Sequence, residues 1–167
     1  ARRMSDAERD LRAGRWRGWD PAAYRGIEIR GSVVGVVGLG RIGSRYARLA
    51  HGLGAQIVYV GPAAKPRAES ELGARRLELN DLLEAADVVS LHVRLTTETR
   101  GFLGRKELGL MKPTAILVNT GRGALVDREA LGHVEEIAGI SAGGMPTRVK
   151  CLHVLAGQAL AQGRGVN

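Results

Sequence analysis

The chain has 167 residues, 44% hydrophobic and 25% charged, which specifies one globular domain with a real core and excludes a disordered or fibrous chain. A single cysteine, Cys151, rules out an internal disulfide or a cysteine-based zinc cluster, and no metal site is expected. The net charge of +8 comes from arginines interspersed with acids, as in Arg9, Arg12 and Arg15 beside Asp6, Glu8 and Asp10, with few aromatic residues; solvated charge is the reading, and no nucleic-acid partner is expected.

Residues 1–30 are polar and Arg-rich, anchored by Leu11, Trp16, Trp19 and Tyr24. Met4–Ala13 reads as one or two helical turns ending near Gly14, and Trp16–Pro21 as an extended arm. The arginine-rich start has no apolar run behind it, and the longest apolar stretches, Val33–Leu39 and Ala115–Val118, are far too short to span a bilayer. A cytoplasmic protein with no membrane partner is the expectation.

Ser32–Val37 is a β-branched run of strand length, apolar on both faces, that stops at Gly38. From Arg41 the period changes: Ile42, Tyr46, Leu49, Ala50 and Leu53 fall on one face of a helix, which predicts that this face packs inward. A second strand is predicted at Gln56–Val60, then a Pro/Ala/Lys loop from Gly61 to Ala68, then a short strand within Ala74–Leu77. Asn80 is placed to cap a short helix carrying Leu82, Leu83 and Ala86 inward. Val88–His92 is a further strand, Leu108–Met111 ends a helix before Pro113, and Ala115–Asn119 is another strand. Asp127 is placed to cap a helix through Glu129, Ala130, Leu131 and Val134. This alternation builds an α/β domain, a parallel sheet covered on both faces. Beyond Val134 the pattern fails: Ala138–Gly144 and Ala156–Val166 are rich in small and polar residues without a period.

Gly38-Leu39-Gly40-Arg41-Ile42-Gly43 is a G-x-G-x-x-G between a predicted strand and a predicted helix. Gly38 permits the tight turn, Gly40 lets a diphosphate approach the main chain, and Gly43 lets helix and strand pack closely. The helix start adds free N–H groups and a positive dipole end, and Arg41 adds a guanidinium. The fold class is therefore a Rossmann-type doubly wound parallel sheet, expected to be incomplete at its C-terminal end, and the ligand a dinucleotide. An acid about 20 positions on would grip the ribose hydroxyls of NAD. That position is Gly61, followed by Pro62; the nearest acid downstream is Glu69, while Lys65 and Arg67 are placed to meet the 2′-phosphate of NADP. Both NAD and NADP stay open.

Several segments together resemble the NAD(P)-binding domain of the D-isomer-specific 2-hydroxyacid dehydrogenases. They are Arg12-Ala13-Gly14-Arg15-Trp16, the glycine turn, Asp81-Leu82-Leu83 with Ala86-Asp87-Val88-Val89, Leu95-Thr96 with Thr99, Met111-Lys112-Pro113, and Val118-Asn119-Thr120-Gly121-Arg122-Gly123 with Val126-Asp127. The loop after the second strand most resembles the glyoxylate/hydroxypyruvate reductase branch. The resemblance implies hydride transfer between nicotinamide and a 2-keto or 2-hydroxy acid. It implies that Arg122 binds the substrate carboxylate and polarises the keto oxygen, a task suited to a planar, permanently charged fork. It also implies cofactor contacts from Thr99, from His92, Val93 and Arg94, and from Thr120 and Gly121; Arg94 stands where the family usually has proline. A homodimer is implied as well, with Trp16 and Trp19 suited to burial against a partner.

The same resemblance sets residues 1–30 as a connector from a substrate domain absent from this sequence, 31–135 as the dinucleotide-binding domain, and 136–167 as an irregular tail. The family's catalytic Glu and proton-donating His have no counterpart here. His153 follows Arg122 too soon and has no paired carboxylate. The chain is accordingly expected to bind cofactor but to turn over poorly or not at all. A non-catalytic dinucleotide sensor or corepressor-like module is the alternative on the same fold; Arg122 favours the enzyme line.

Overall fold

The computed structural model describes residues 4–20, 23, 24, 26–130 and 150–153. The elements in chain order are α1 (Met4–Arg12), β1 (Val33–Val37), α2 (Arg41–Gly52), β2 (Gln56–Val60), α3 (Pro66–Leu72), β3 (Arg75–Arg76), α4 (Leu79–Ala85), β4 (Val88–Leu91), α5 (Arg105–Leu110), β5 (Ile116–Asn119) and β6 (Lys150–His153). The sheet order is β3-β2-β1-β4-β5-β6, and every pairing is parallel. This is the doubly wound order in which the chain starts at the centre, works to one edge, then returns to build the other.

Both faces of the sheet are covered, so the strands carry apolar residues on both sides. Val37, Val58, Val89, Leu91 and Leu117 pack with Leu82 and Leu83 of α4 and with Leu103, Leu108 and Leu125. On the opposite face Val34, Val36, Ile57 and Tyr59 pack with Ala47 and Ala50 of α2 and Ala68 of α3.

Four differences from the sequence-based expectations have physical reasons. In α2 the buried residues are Gly43, Ala47 and Ala50, whereas Ile42, Leu49 and Leu53 are 72%, 71% and 62% exposed. Tyr46, on the same expected face, is half-buried against the core, but directly beneath the helix the approach to β1 is so close that the space is filled by small residues. A Cβ on Gly43 would stand 2.2 Å from the Gly38 carbonyl oxygen. The predicted loop after β2 contains α3, started by Pro66 in its first turn with Glu69 close behind. The predicted cap of α4, Asn80, lies inside the helix: Glu78 is the capping position, without a side-chain cap bond, because Leu77 and Leu79 pack on the core and draw the helix start forward.

The fourth difference is β6. The sequence shows no clear strand beyond Asn119, yet Lys150–His153 pairs with β5 from Ile116↔Lys150 to Asn119↔His153. A sixth strand thus stands where the sheet was expected to be incomplete. The backbone donors and acceptors on the outer edge of β5 require partners, and a short run of any composition that can extend supplies them. The predicted helix start at Asp127 is present, its carboxylate accepting from the Ala130 amide at 2.9 Å. The expectations for Leu131, Val134, 138–144 and 156–166 lie outside the described residues. Among the described residues no helix is long and apolar enough to cross a membrane.

Candidate functional site

The pairing register sets Val60, Val37, Leu91 and Asn119 side by side across β2, β1, β4 and β5. The next residue of each chain segment, Gly61, Gly38, His92 and Thr120, therefore lies along one carboxyl edge of the sheet. Strand order reverses at β1, between β2 and β4, and such a switch point opens a crevice for ligands.

The turn out of β1 is built for close approach. Gly38 has φ +97°, and a Cβ there would stand 2.9 Å from the His92 carbonyl carbon and oxygen. Its N–H donates to the Val60 carbonyl at 3.0 Å, tying the turn to the end of β2. Gly40 caps α2 with no side-chain cap bond, and a Cβ on it would meet nothing within 4 Å. A bare main-chain surface thus precedes a twelve-residue helix whose first amides are not taken by a capping side chain. Arg41 and Ile42 are exposed beside it. These features fit a dinucleotide's diphosphate: room where a side chain would otherwise stand, N–H donors, and a positive helix end.

At the end of β2, a Cβ on Gly61 would touch nothing nearer than 3.9 Å, so the position that could carry a ribose-binding acid is open space. Glu69 is turned inward, accepting from the Tyr59 hydroxyl at 2.5 Å and the Lys65 amide at 3.4 Å. Burial, then the bond to Glu69, holds the Tyr59 phenol above its ordinary pKa. Arg67 donates to Glu71 within α3 at 2.9 and 3.1 Å, and Arg48 of α2 donates to the same carboxylate. Lys65 is exposed at the start of α3. The guanidinium that does reach this end of the sheet is that of Arg76. From β3 its Nε donates to the Gly61 carbonyl at 3.1 Å and one terminal nitrogen to the Pro62 carbonyl at 3.3 Å.

After β4, His92 is half-buried, with Nε2 2.9 Å from the Ser90 hydroxyl and its ring 5.2 Å from that of Tyr46. Burial lowers the His92 pKa, so the ring is neutral at neutral pH. Val93 is partly buried and Arg94 exposed. Thr99 folds the loop back: its hydroxyl donates to the Arg94 carbonyl at 2.7 Å and accepts from the Thr96 amide at 2.8 Å.

After β5, the buried Asn119 organises the next turn. Its side-chain oxygen accepts from the Gly121 amide at 3.1 Å, and its amide nitrogen donates to the Arg122 carbonyl at 2.9 Å. Thr120 is exposed, and a Cβ on Gly121 would lie 3.9 Å from the Val93 carbonyl, which brings the β4 and β5 loops together. Arg122 is exposed, and its guanidinium donates to the Gly121 carbonyl at 3.1 Å. Among the described residues no carboxylate pairs with it.

Sequence reasoning missed Arg76 and Asn119 as site-building residues. Arg76 lies fifteen positions beyond Gly61 on a two-residue strand, and only the pairing Tyr59↔Arg76 brings it near. Asn119 carried a signal in the Asn-Thr-Gly-Arg-Gly run, but its bonding to both Gly121 and Arg122 is a product of the turn.

Comparisons with known proteins point one way. The family model described as D-isomer specific 2-hydroxyacid dehydrogenase, NAD binding domain, matches residues 1–142. A glyoxylate reductase of Thermococcus litoralis is 47% identical over 135 residues, covering 78% of this chain and 41% of the relative. Among solved structures, a protein of Thermus thermophilus superposes with a TM-score of 0.75 at 43% identity, covering 81% of this chain and 42% of the other. A D-lactate dehydrogenase of Aquifex aeolicus, solved with NAD and lactic acid, gives 0.72 at 30% identity, covering 81% and 40%. The chain spans about two fifths of the length of the relatives it matches.

Proposed function

We infer the work of this chain from the family it belongs to: it is an NAD-binding domain of the D-isomer-specific 2-hydroxyacid dehydrogenases. The reaction we propose for the complete protein is hydride transfer between a nicotinamide cofactor and a small 2-keto or 2-hydroxy acid, with glyoxylate the acid that the similar glyoxylate reductases suggest. The bound dinucleotide supplies the hydride chemistry, and the protein supplies placement and charge.

Gly38, Gly40, Arg41, Ile42 and Gly43 hold the diphosphate, the open main chain at Gly40 letting the α2 amides donate to it. Gly61 and Pro62 border the adenosine ribose. His92, Val93, Arg94 and Thr99 form the neighbouring wall, which Thr99 stiffens by bonding the loop to itself. Thr120 and Gly121 border the nicotinamide end through their main chain. Arg122 receives the carboxylate of the acid and stabilises negative charge on its C2 oxygen. The Asn119 bonds fix the backbone from which Arg122 projects, so its free donors need little reorganisation.

The observation that carries this reading is the shared edge: an open glycine turn and an arginine that, among the described residues, has no carboxylate partner, each one or a few residues beyond aligned strand ends. Oxamate, a 2-keto acid analogue, tests it. The NADH-loaded chain is expected to bind oxamate, and Arg122→Ala to weaken that binding about tenfold or more while leaving NADH affinity unchanged. Oxamate binding that survives Arg122→Ala would remove Arg122 from its assigned task.

We further propose that the chain pairs with a second copy of itself. Ile42, Leu49 and Leu53 form an exposed apolar stripe along α2, and Trp16 and Trp19 are 47% and 85% exposed on the N-terminal arm. Trp16 is presented flat against Tyr24, with ring centroids 6.1 Å apart.

A further inference from the structure

Resting on the reading of the carboxyl edge as a dinucleotide site, we propose that Arg76 receives a phosphate on the 2′-hydroxyl of the cofactor's adenosine ribose, so that this chain selects NADP(H) over NAD(H). The position one residue beyond β2, beside the Gly38 turn, is where a carboxylate would accept both ribose hydroxyls and repel a phosphate. Here that position is Gly61, with open space in place of a side chain. The nearest acid downstream, Glu69, is committed to the Tyr59 hydroxyl and the Lys65 amide. Nothing anionic on this loop therefore grips the diol.

A cation stands there instead. Arg76 is exposed and anchored by the Gly61 and Pro62 carbonyls, which use Nε–H and one terminal N–H. A guanidinium has five donors, so three N–H groups remain for an anion, in a fork whose orientation those two bonds already restrict. Among the described residues no carboxylate pairs with Arg76. Arg67, at the start of α3, is held by Glu71, and recruiting it would require breaking that pair. The bonds that hold Arg76 are to main chain, and an arriving phosphate adds to them without displacing a counter-ion.

Parallel nicotinamide-fluorescence titrations of the 167-residue chain with NADPH and NADH test this, together with calorimetry of 2′,5′-ADP against 5′-ADP. The expected result is an NADPH advantage of about tenfold or more, and the same order for the two nucleotide fragments. Arg76→Ala is expected to bring NADPH down to the affinity of NADH, with NADH unchanged; that unchanged affinity also reports an intact fold. Arg76→Lys is expected to retain part of the advantage, and Arg67→Ala all of it. Equal affinities in the wild type, or an advantage that survives Arg76→Ala, overturn the proposal and leave the dinucleotide site standing. Binding of neither cofactor overturns both.

Discussion

Three glycines within one six-residue turn, Gly38, Gly40 and Gly43, do separable work, and single substitutions separate it. Gly43 lies where α2 crosses β1, and the 2.2 Å approach to the Gly38 carbonyl leaves no room for a methyl group. Gly43→Ala is expected to destabilise the fold by about 1–3 kcal/mol, read by urea denaturation. Gly40 has an extended backbone open to any residue, and its missing Cβ faces empty space. Gly40→Ala is therefore expected to change stability by less than about 0.5 kcal/mol. It is expected to weaken NADH binding about tenfold, as the added methyl stands on the surface offered to the diphosphate. At this scale the sequence was informative where function rests on local spacing: the glycine turn and the Asn119–Arg122 run are legible because all their parts lie within a few residues. Arg76 was illegible because its neighbours, Gly61 and Pro62, become neighbours only through the β2–β3 pairing.

Each helix has two faces, and periodicity alone does not say which is buried. In α2 Ile42, Leu49 and Leu53 point outward while Gly43, Ala47 and Ala50 lie inward, since close packing on the sheet selects for size before hydrophobicity. The exposed stripe is the part of the pattern that packing within the domain leaves unexplained, and the proposed pairing with a second copy would cover it. Sedimentation is expected to show a dimer for the wild type, and a monomer with an unchanged circular dichroism spectrum for Leu49→Asp. A monomeric wild type would contradict this. Strand ends are also tied by side chains. Asp87, just before β4, accepts from the Val33 amide at 2.8 Å and from Lys112 at 2.8 Å, joining β1, β4 and the segment leading to β5. Burial raises the Asp87 pKa, but the Lys112 bond, the Val33 amide and the Lys112 charge together take it below its ordinary value. The folded state thus favours the ionised form, so this stabilisation is present above the ordinary carboxylate range and is lost as pH falls through it toward the depressed value. Asp87→Asn is expected to cost about 1–2 kcal/mol at neutral pH, with the gap from wild type narrowing in acid. A gap independent of pH would show that the charge on Asp87 is unimportant.

The whole molecule is a sheet whose strands end in register, so that residues far apart in the chain share one edge. Strand identity was legible throughout β1, β2, β4 and β5, because parallel strands buried on both faces are continuous apolar runs. The strand β6 was not: Lys150–His153 sits among residues with no period, and its pairing answers a need of β5 that its own composition does not announce. The chain spans about two fifths of the length of the relatives it matches, so binding, not turnover, is the property by which the edge is to be judged. Backbone amide NMR during an NADH titration reads that edge residue by residue. The account predicts that the largest shifts fall on Gly38, Gly40, Arg41 and Ile42, with smaller ones at His92 and Gly121. Saturable NADH binding that leaves those amides unmoved, or moves residues at the opposite edge of the sheet, would contradict it.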